Sequence, residues 1–384
     1  MKAKNKCPGC ASKRLSKSWR LLRQPVVMNY RFRSERAARA VARRELRLVQ
    51  CEDCGLIFNA TLDSQAIPYD EHYENRQCFS PVFQDHLILM ADSLIQRHAL
   101  QGERVLEVGC GKGDFLRLLC RRARCRGVGY DTSYEGPSRV DRGRVQFHQR
   151  YLKASDVKQP SSAILCRHVV EHVGDIGAFL KDLAEIARAS GDPVVVIETP
   201  DFRWIDRTGS FWDLFYEHCN YFTKECLAHL CRRAGFRVLL QVAVFGGQYQ
   251  WLELRLATPR HRTRPAPPCS VSLERFAAKT DAALKRMKGR LSKAGADCGW
   301  AIWGAGAKGV SLVQWFRSSP PRLVIDSNPM KQGGFIPGSN VPIVAPNDPR
   351  IRSLGAVLIA NPNYRREITS TLRHAGFTNT ILTA

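Results

Sequence analysis

The sequence lacks any apolar run approaching the roughly 18 to 20 residues that a membrane span requires. Its first ten residues, MKAKNKCPGC, have charge but no apolar core of the kind a secretory signal carries, so export is not expected. The chain is also short of acid. Asp and Glu number 35 against 59 Lys and Arg, a formal charge of +24. That excess favours an anionic partner: nucleic acid, an anionic surface or a phosphorylated small molecule. The basic residues are spread along the chain, with local runs at 31–47 and 117–126, so no single tail explains them. No internal repeat of fixed period is visible, which excludes a solenoid.

Cysteine is not scarce. There are 14 in 384 residues. A long chain without an export signal is no disulfide scaffold, so the expected compartment is the reducing cytoplasm. The length allows two or three domains. The patterning divides it into a cysteine-bearing lobe at 1–75, an alternating strand–helix region at 76–257, a Pro- and Arg-rich linker at 258–270 and a second α/β region at 271–384.

Cys7-Pro-Gly-Cys10 and Cys51-Glu-Asp-Cys54-Gly55 are two Cys-x-x-Cys knuckles. Each turn can offer two thiolates to one tetrahedral ion, and two turns complete a closed four-sulfur zinc site. The role expected is structural. Strand-like flanks at 46–50 and 56–60 fit a ribbon whose turn is the second knuckle. A lobe this small has little core of its own, so metal binding is expected to supply folding energy.

Arg104-Val-Leu-Glu107-Val-Gly109-Cys-Gly111-Lys-Gly113-Asp114 reads as a buried strand, a glycine loop and a helix start. A dinucleotide loop would have the spacing Gly-x-Gly-x-x-Gly and would set pyrophosphate on the helix N-terminus. Here the spacing is Gly-x-Gly-x-Gly, and an acid stands two positions before it. Glu107 would repel pyrophosphate but suits a ligand with an ammonium and a sulfonium, namely S-adenosylmethionine. Asp131, ending the strand Gly127-Val-Gly-Tyr-Asp131, is placed to accept ribose hydroxyls. A further strand, 162–167, opens into a loop with His168 and His172 at the carboxyl edge of the sheet, where ligands of open α/β sheets bind. Glu107, Gly109, Gly111, Gly113, Asp131 and His168 are therefore the expected cofactor residues.

The segment Phe215-Tyr216-Glu217-His218-Cys-Asn-Tyr221-Phe222-Thr223 concentrates polar chemistry among bulky apolar residues. A His beside a carboxylate can act as a general base near neutral pH. Neighbours on an extended chain point to opposite sides, so one of Glu217 and His218 orients while the other reacts. Tyr216, Tyr221 and His172 complete the catalytic candidates. Thr223 is the expected N-cap of a helix ending at Gly235.

Taken together, these residues resemble the three-domain, zinc-containing sugar C-methyltransferases that act on nucleotide-linked 4-keto deoxysugars. Shared with them are the two cysteine pairs, the Glu-x-Gly-x-x-x-Gly loop and the His-Val-x-Asp segment at 172–175. The 216–222 segment is similar to the family's Tyr-His-Glu-His-x-x-Tyr-Phe signature. Gly246-Gly247-Gln248, Gly304-Ala-Gly306-Ala-Lys308-Gly309, Val324-Ile-Asp326-Ser-Asn-Pro329 and the stretch from Lys331 to Gly338 match further family motifs. The resemblance implies an α/β chain: a class I methyltransferase Rossmann-like domain between an N-terminal zinc-ribbon lobe and a C-terminal Rossmann-like domain. It implies a base that removes the proton beside a ketone, so that the enolate carbon accepts the methyl group. It carries the catalytic pair to Glu217 and His218, and substrate contacts to Tyr73, Gln248, Lys308 and Lys331. Phe215 stands where the family has Tyr, and Tyr216 where it has His.

Two other readings follow from the pattern. The loop at 304–309 with Asp326 beyond it also has the spacing of a nicotinamide site. The positive charge fits an RNA methyltransferase, or another O- or N-methyltransferase, holding a polyanion. No basic stripe interleaved with aromatics is present to support stacking on bases.

Overall fold

The computed structural model describes residues 4–258, 271–294 and 298–384. All but the first residue of the expected linker, 258–270, lies outside the described residues. No helix among the described residues is long and apolar enough to cross a membrane.

The central sheet has eight strands. Their order is Phe236–Val244, Tyr249–Leu256, Val194–Pro200, Ala163–Arg167, Arg104–Val108, Arg126–Tyr130, Val145–His148 and Arg139–Val140. The five from Val194–Pro200 through Val145–His148 run parallel, and Tyr249–Leu256 is antiparallel to both its neighbours. This order, with Tyr249–Leu256 reversed near one edge and the short Arg139–Val140 reversed at the other, is the class I methyltransferase fold. Strand Ala163–Arg167 is buried at every position, the signature of a strand covered on both faces by helices. The helix Pro81–His98 starts with Ser80 accepting the Phe83 N–H, and the helix Lys224–Arg233 with Thr223 accepting the Cys226 N–H at 3.3 Å. Strand order reverses on either side of Arg104–Val108, so the crevice opens at its carboxyl end.

The C-terminal region is a five-stranded parallel sheet, ordered Ile343–Val344, Leu323–Ile325, Trp300–Trp303, Ala356–Ile359 and Thr380–Thr383. Its middle strand runs into the glycine loop 304–306 and the helix Ala307–Trp315. Gly309 allows the closest approach there: a Cβ would lie 1.7 Å from the Gly304 carbonyl oxygen.

The amino-terminal lobe departs from expectation in one respect. Its antiparallel sheet comprises Trp19–Pro25, Arg43–Gln50 and Ile57–Asn59, with a fourth strand, Asn220–Tyr221, from the 216–222 segment. Nor is the lobe coreless. Leu21, Met28, Leu46, Leu48 and Ile57 pack in one cluster with Phe211, Trp212 and Phe215, and with Phe276, Trp300 and Ile336 of the C-terminal region. The lobe thus shares this cluster with the 202–221 segment and with the C-terminal region.

Candidate functional site

The carboxyl edges of the two sheets face each other across a cavity of about 350 Å³, and the segment 73–80 closes one side. Tyr73, Glu107, Gly109, Gly111, His168, His172, His218, Gln248, Lys308 and Lys331 all line it.

Glu107, next to last in the strand Arg104–Val108, is 2% exposed, and among the described residues its Oε2 has no hydrogen-bond partner. Burial pushes its carboxyl up to about 8, against the pull of the Arg167 guanidinium. In the loop that follows, Gly109 has φ +70°, and a Cβ there would strike Val169 at 2.2 Å. At Gly111 a Cβ would meet only Asn75 Oδ1, at 3.8 Å, so backbone is bared to the cavity. Gly113 is the N-cap of the helix Asp114–Ala123 and lies behind the wall.

Asp131 does not itself line the cavity. Its Oδ2 accepts the Gly111 N–H at 2.8 Å, and its Oδ1 accepts the Ser133 N–H and hydroxyl. It braces the glycine loop. His168 adopts φ +54° and rests on the Tyr249 ring at 4.6 Å, and its Nε2 has no hydrogen bond among the described residues. Behind it Glu198, fully buried, accepts from Arg167 Nε at 2.7 Å and lies 2.9 Å from His86 Nε2. Burial opposes ionisation of Glu198, but Arg167 and the histidines outweigh it and hold the carboxyl far below its ordinary value.

The opposite wall carries two imidazoles, His172 and His218, with ring centroids 4.7 Å apart and planes nearly perpendicular. Burial lowers the pKa of both, and each is neutral near pH 7. His172 Nδ1 lies 3.1 Å from the Glu217 carbonyl oxygen and 3.0 Å from the Tyr69 hydroxyl. A carbonyl only accepts, so Nδ1 carries the proton and Nε2 is the basic nitrogen. His218 rests on Phe215 at 4.1 Å, and its ring makes no hydrogen bond among the described residues.

Glu217 points away from His218; Tyr216 and Glu217 form a turn rather than the extended run expected. It is fully buried and off the wall. One oxygen accepts the Met28 N–H, the other the Tyr73 hydroxyl at 2.9 Å. Burial raises its pKa to about 7.

Two catalytic candidates are corrected. The Tyr216 hydroxyl accepts the Asp63 N–H at 2.8 Å and donates to the Thr61 carbonyl at 3.1 Å, tying the loop to the amino-terminal lobe. Tyr221 clasps the Phe215 backbone, accepting its N–H at 3.0 Å and donating to its carbonyl at 3.1 Å. Neither lines the cavity. Both hold the shape of the segment that presents His218.

From the C-terminal side, Lys308 pairs with the buried Asp213 and sits over the Trp204 ring. Lys331, 8% exposed, donates to the Ala305 carbonyl and to Asn29 Oδ1. Gln248 Oε1 accepts from the Asn361 and Asn363 amides, each at 3.0 Å. Asn29, Tyr69, Glu171 and Asp213 escaped the sequence reading. Glu171 sits beside His172 and has a signal of sorts. Asn29 has none, because tertiary folding alone brings it to the wall.

The four knuckle cysteines cluster apart from the cavity. Cys7 and Cys54 Sγ are 3.6 Å apart, Cys10 and Cys51 Sγ 3.5 Å, and all four lie within 4.8 Å of one another with no disulfide. Tetrahedral thiolates about 2.3 Å from an ion are separated by about 3.8 Å, so the four can hold a metal ion. The second knuckle joins two antiparallel strands, and the first docks by its Pro8 carbonyl on the Gly177 N–H at 2.9 Å.

Residues 83–241 match a family described as methyltransferase domain, and residues 271–380 one described as C-methyltransferase C-terminal domain. The chain is 26% identical over 311 residues to the C-methyltransferase NovU of Streptomyces niveus, covering 74% of this chain and 72% of that protein. It is 30% identical over 116 residues to a ubiquinone biosynthesis O-methyltransferase of Bradyrhizobium sp. (strain ORS 278), covering 28% of this chain and 44% of the relative. The chain thus spans about half the length of the ubiquinone-pathway enzymes it matches, between 44% and 54%. A Burkholderia thailandensis 1,6-didemethyltoxoflavin-N1-methyltransferase superposes with TM-score 0.36 at 18% identity, over 46% of this chain and 82% of that one. Residues 83–241 thus match a methyltransferase domain and lie on a sheet of class I order, and residues 271–380 match a C-methyltransferase C-terminal domain.

Proposed function

We propose that the chain transfers a methyl group from S-adenosylmethionine to carbon beside the ketone of a nucleotide-linked deoxysugar. The observation that carries this reading is the cavity itself. It sets a buried acid and bare glycine backbone on one wall, two neutral imidazoles on another and two lysines of the C-terminal domain on a third.

The residues fit the cofactor. Glu107 has an unpartnered buried oxygen for the cofactor's cationic end, and Gly111 leaves room beside it. Asp131 supports that loop, and His168 lies alongside. When bound, the cofactor supplies an electrophilic methyl group, which the nucleophilic carbon takes. His218 is the base: the proton beside the ketone passes to its imidazole, and the electron pair moves onto the substrate oxygen. His172 Nε2 faces the same space. Lys308, Lys331, Tyr73 and Gln248 supply polar contacts for an anionic, oxygen-rich substrate. Cys7, Cys10, Cys51 and Cys54 hold a structural zinc ion, a closed site without an open position for chemistry.

The +24 charge and the O-methyltransferase relatives favour a second reading, an oxygen acceptor or RNA. One experiment separates the two. Methyl-labelled cofactor is incubated with the protein and a panel of nucleotide-linked keto sugars, phenols and RNA, and products are read by mass spectrometry. Label on a sugar carbon is expected. Label confined to oxygen or RNA overturns the first reading.

A further inference from the structure

Lysine has three donors and no acceptor, and a side-chain amide has one end of each kind. These two facts give direction to a chain of hydrogen bonds that crosses the cavity wall. Lys331 donates to the Ala305 carbonyl at 3.1 Å and to Asn29 Oδ1 at 3.3 Å. Asn29 must then turn Nδ2 toward its other partner, the Tyr73 hydroxyl, at 3.4 Å. Tyr73 accepts there, so its one proton goes to Glu217 Oε2 at 2.9 Å. The other Glu217 oxygen is held by the Met28 N–H. Asn29 belongs to the amino-terminal lobe, Glu217 to the methyltransferase domain and Lys331 to the C-terminal domain. Asn29, Tyr73 and Lys331 line the cavity.

We propose that Lys331 and Asn29 are positioning residues that keep the Tyr73 hydroxyl donating to Glu217, making the C-terminal domain a working part of the reaction centre. Lys331 sets the amide, the amide sets the phenol, and the phenol–carboxylate pair keeps its proton at one place on the wall. Without the ammonium, Asn29 is free to turn. Its oxygen then competes for the Tyr73 proton, and Glu217 loses both a donor and a nearby positive charge. The surrounding charged and titratable groups oppose this loss little. Tyr73 faces Tyr69, Glu217 and Glu171, and Lys331 faces Asp326, Glu74 and Glu217, while His172 is neutral. The chemical consequence rests on the methyl-transfer reading; the relay does not.

The test uses the full chain with 3-fluorotyrosine at position 73 and no substrate. Its fluorine resonance is followed against pH by NMR, so that Tyr73 reports ionisation of its partner Glu217. In Lys331→Met the titration step is expected to move up by about one pH unit. Asn29→Leu, which keeps the lysine, is expected to move it the same way. Lys331→Arg retains the donors and is expected to stay close to wild type. Thermal melting and S-adenosylhomocysteine binding establish that each variant is folded, and if one of the two displaced variants is not, the other carries the test. An unmoved step in the folded variants overturns the relay whatever the methylation assay gives. A moved step without methylation of any nucleotide sugar keeps the relay and overturns the substrate reading.

Discussion

His172 is joined to Glu217 through the main chain: its Nδ1 lies 3.1 Å from the Glu217 carbonyl oxygen, while the Glu217 carboxylate turns the other way to Tyr73. One loop thus fixes the tautomer of one histidine and presents another, His218, beside it. His218→Ala is expected to lower kcat by about 10²- to 10⁴-fold, the usual worth of a positioned base. Binding of S-adenosylhomocysteine, measured by calorimetry, should be unchanged. Turnover at the wild-type rate would remove His218 from the mechanism.

Glu107 gives a proton-linked prediction. With a pKa raised to about 8 in the ligand-free protein, it is mostly protonated at pH 7. A cationic ligand needs the carboxylate, so binding at pH 7 should release most of one proton per site; by pH 9 the net release should be lost, because Glu107 is already ionised and the ligand's own α-amino group takes up a proton to bind as ammonium. Titrations of S-adenosylmethionine in buffers of different ionisation enthalpy measure this number. Glu107→Gln should abolish the release and weaken binding. Equal release at both pH values would contradict the assignment.

Cys51→Ser removes one of four thiols whose sulfurs lie within 4.8 Å of one another. The variant is expected to lose zinc by metal analysis and to melt at lower temperature, because ion binding is coupled to folding of the ribbon. It should still fold in part, since the lobe shares its interior with both domains. Zinc retained at one ion per chain would rule out the cysteine site.

Gly309→Ala should destabilise the C-terminal sheet. A methyl group would stand 1.7 Å from the Gly304 carbonyl oxygen, and backbone has to move. The expected cost is roughly 3 kcal/mol, the upper end for overpacking. Chemical denaturation read by tryptophan fluorescence checks it, and a midpoint like wild type would show that the loop yields easily.

Local patterns in the sequence were enough to locate the strand–loop–helix units. Glu107 and its glycines sit at the end of a buried strand, and Thr223 caps the helix after the 216–222 segment. The limits lay in direction and distance. Tyr216 and Tyr221 look like catalytic phenols beside His218, but the turn at 216–217 and tertiary packing send both hydroxyls to backbone groups. Asp131 follows its strand where a ribose acid is expected, and its oxygens also hold Gly111 and Ser133, a bracing role that the sequence pattern does not record. Asn29, about 190 positions from Glu217 and 300 from Lys331, reaches both through three-dimensional packing that no local pattern records.

The strand Asn220–Tyr221 has a consequence for synthesis. It is the fourth strand of a sheet whose other three come from the first 59 residues. On the ribosome, those residues emerge well before the segment that completes them. The amino-terminal lobe cannot finish ahead of the rest in the usual vectorial order. It must keep an open sheet edge until residue 221 is clear of the exit tunnel, and the loop that presents His218 takes its shape in the same closing step.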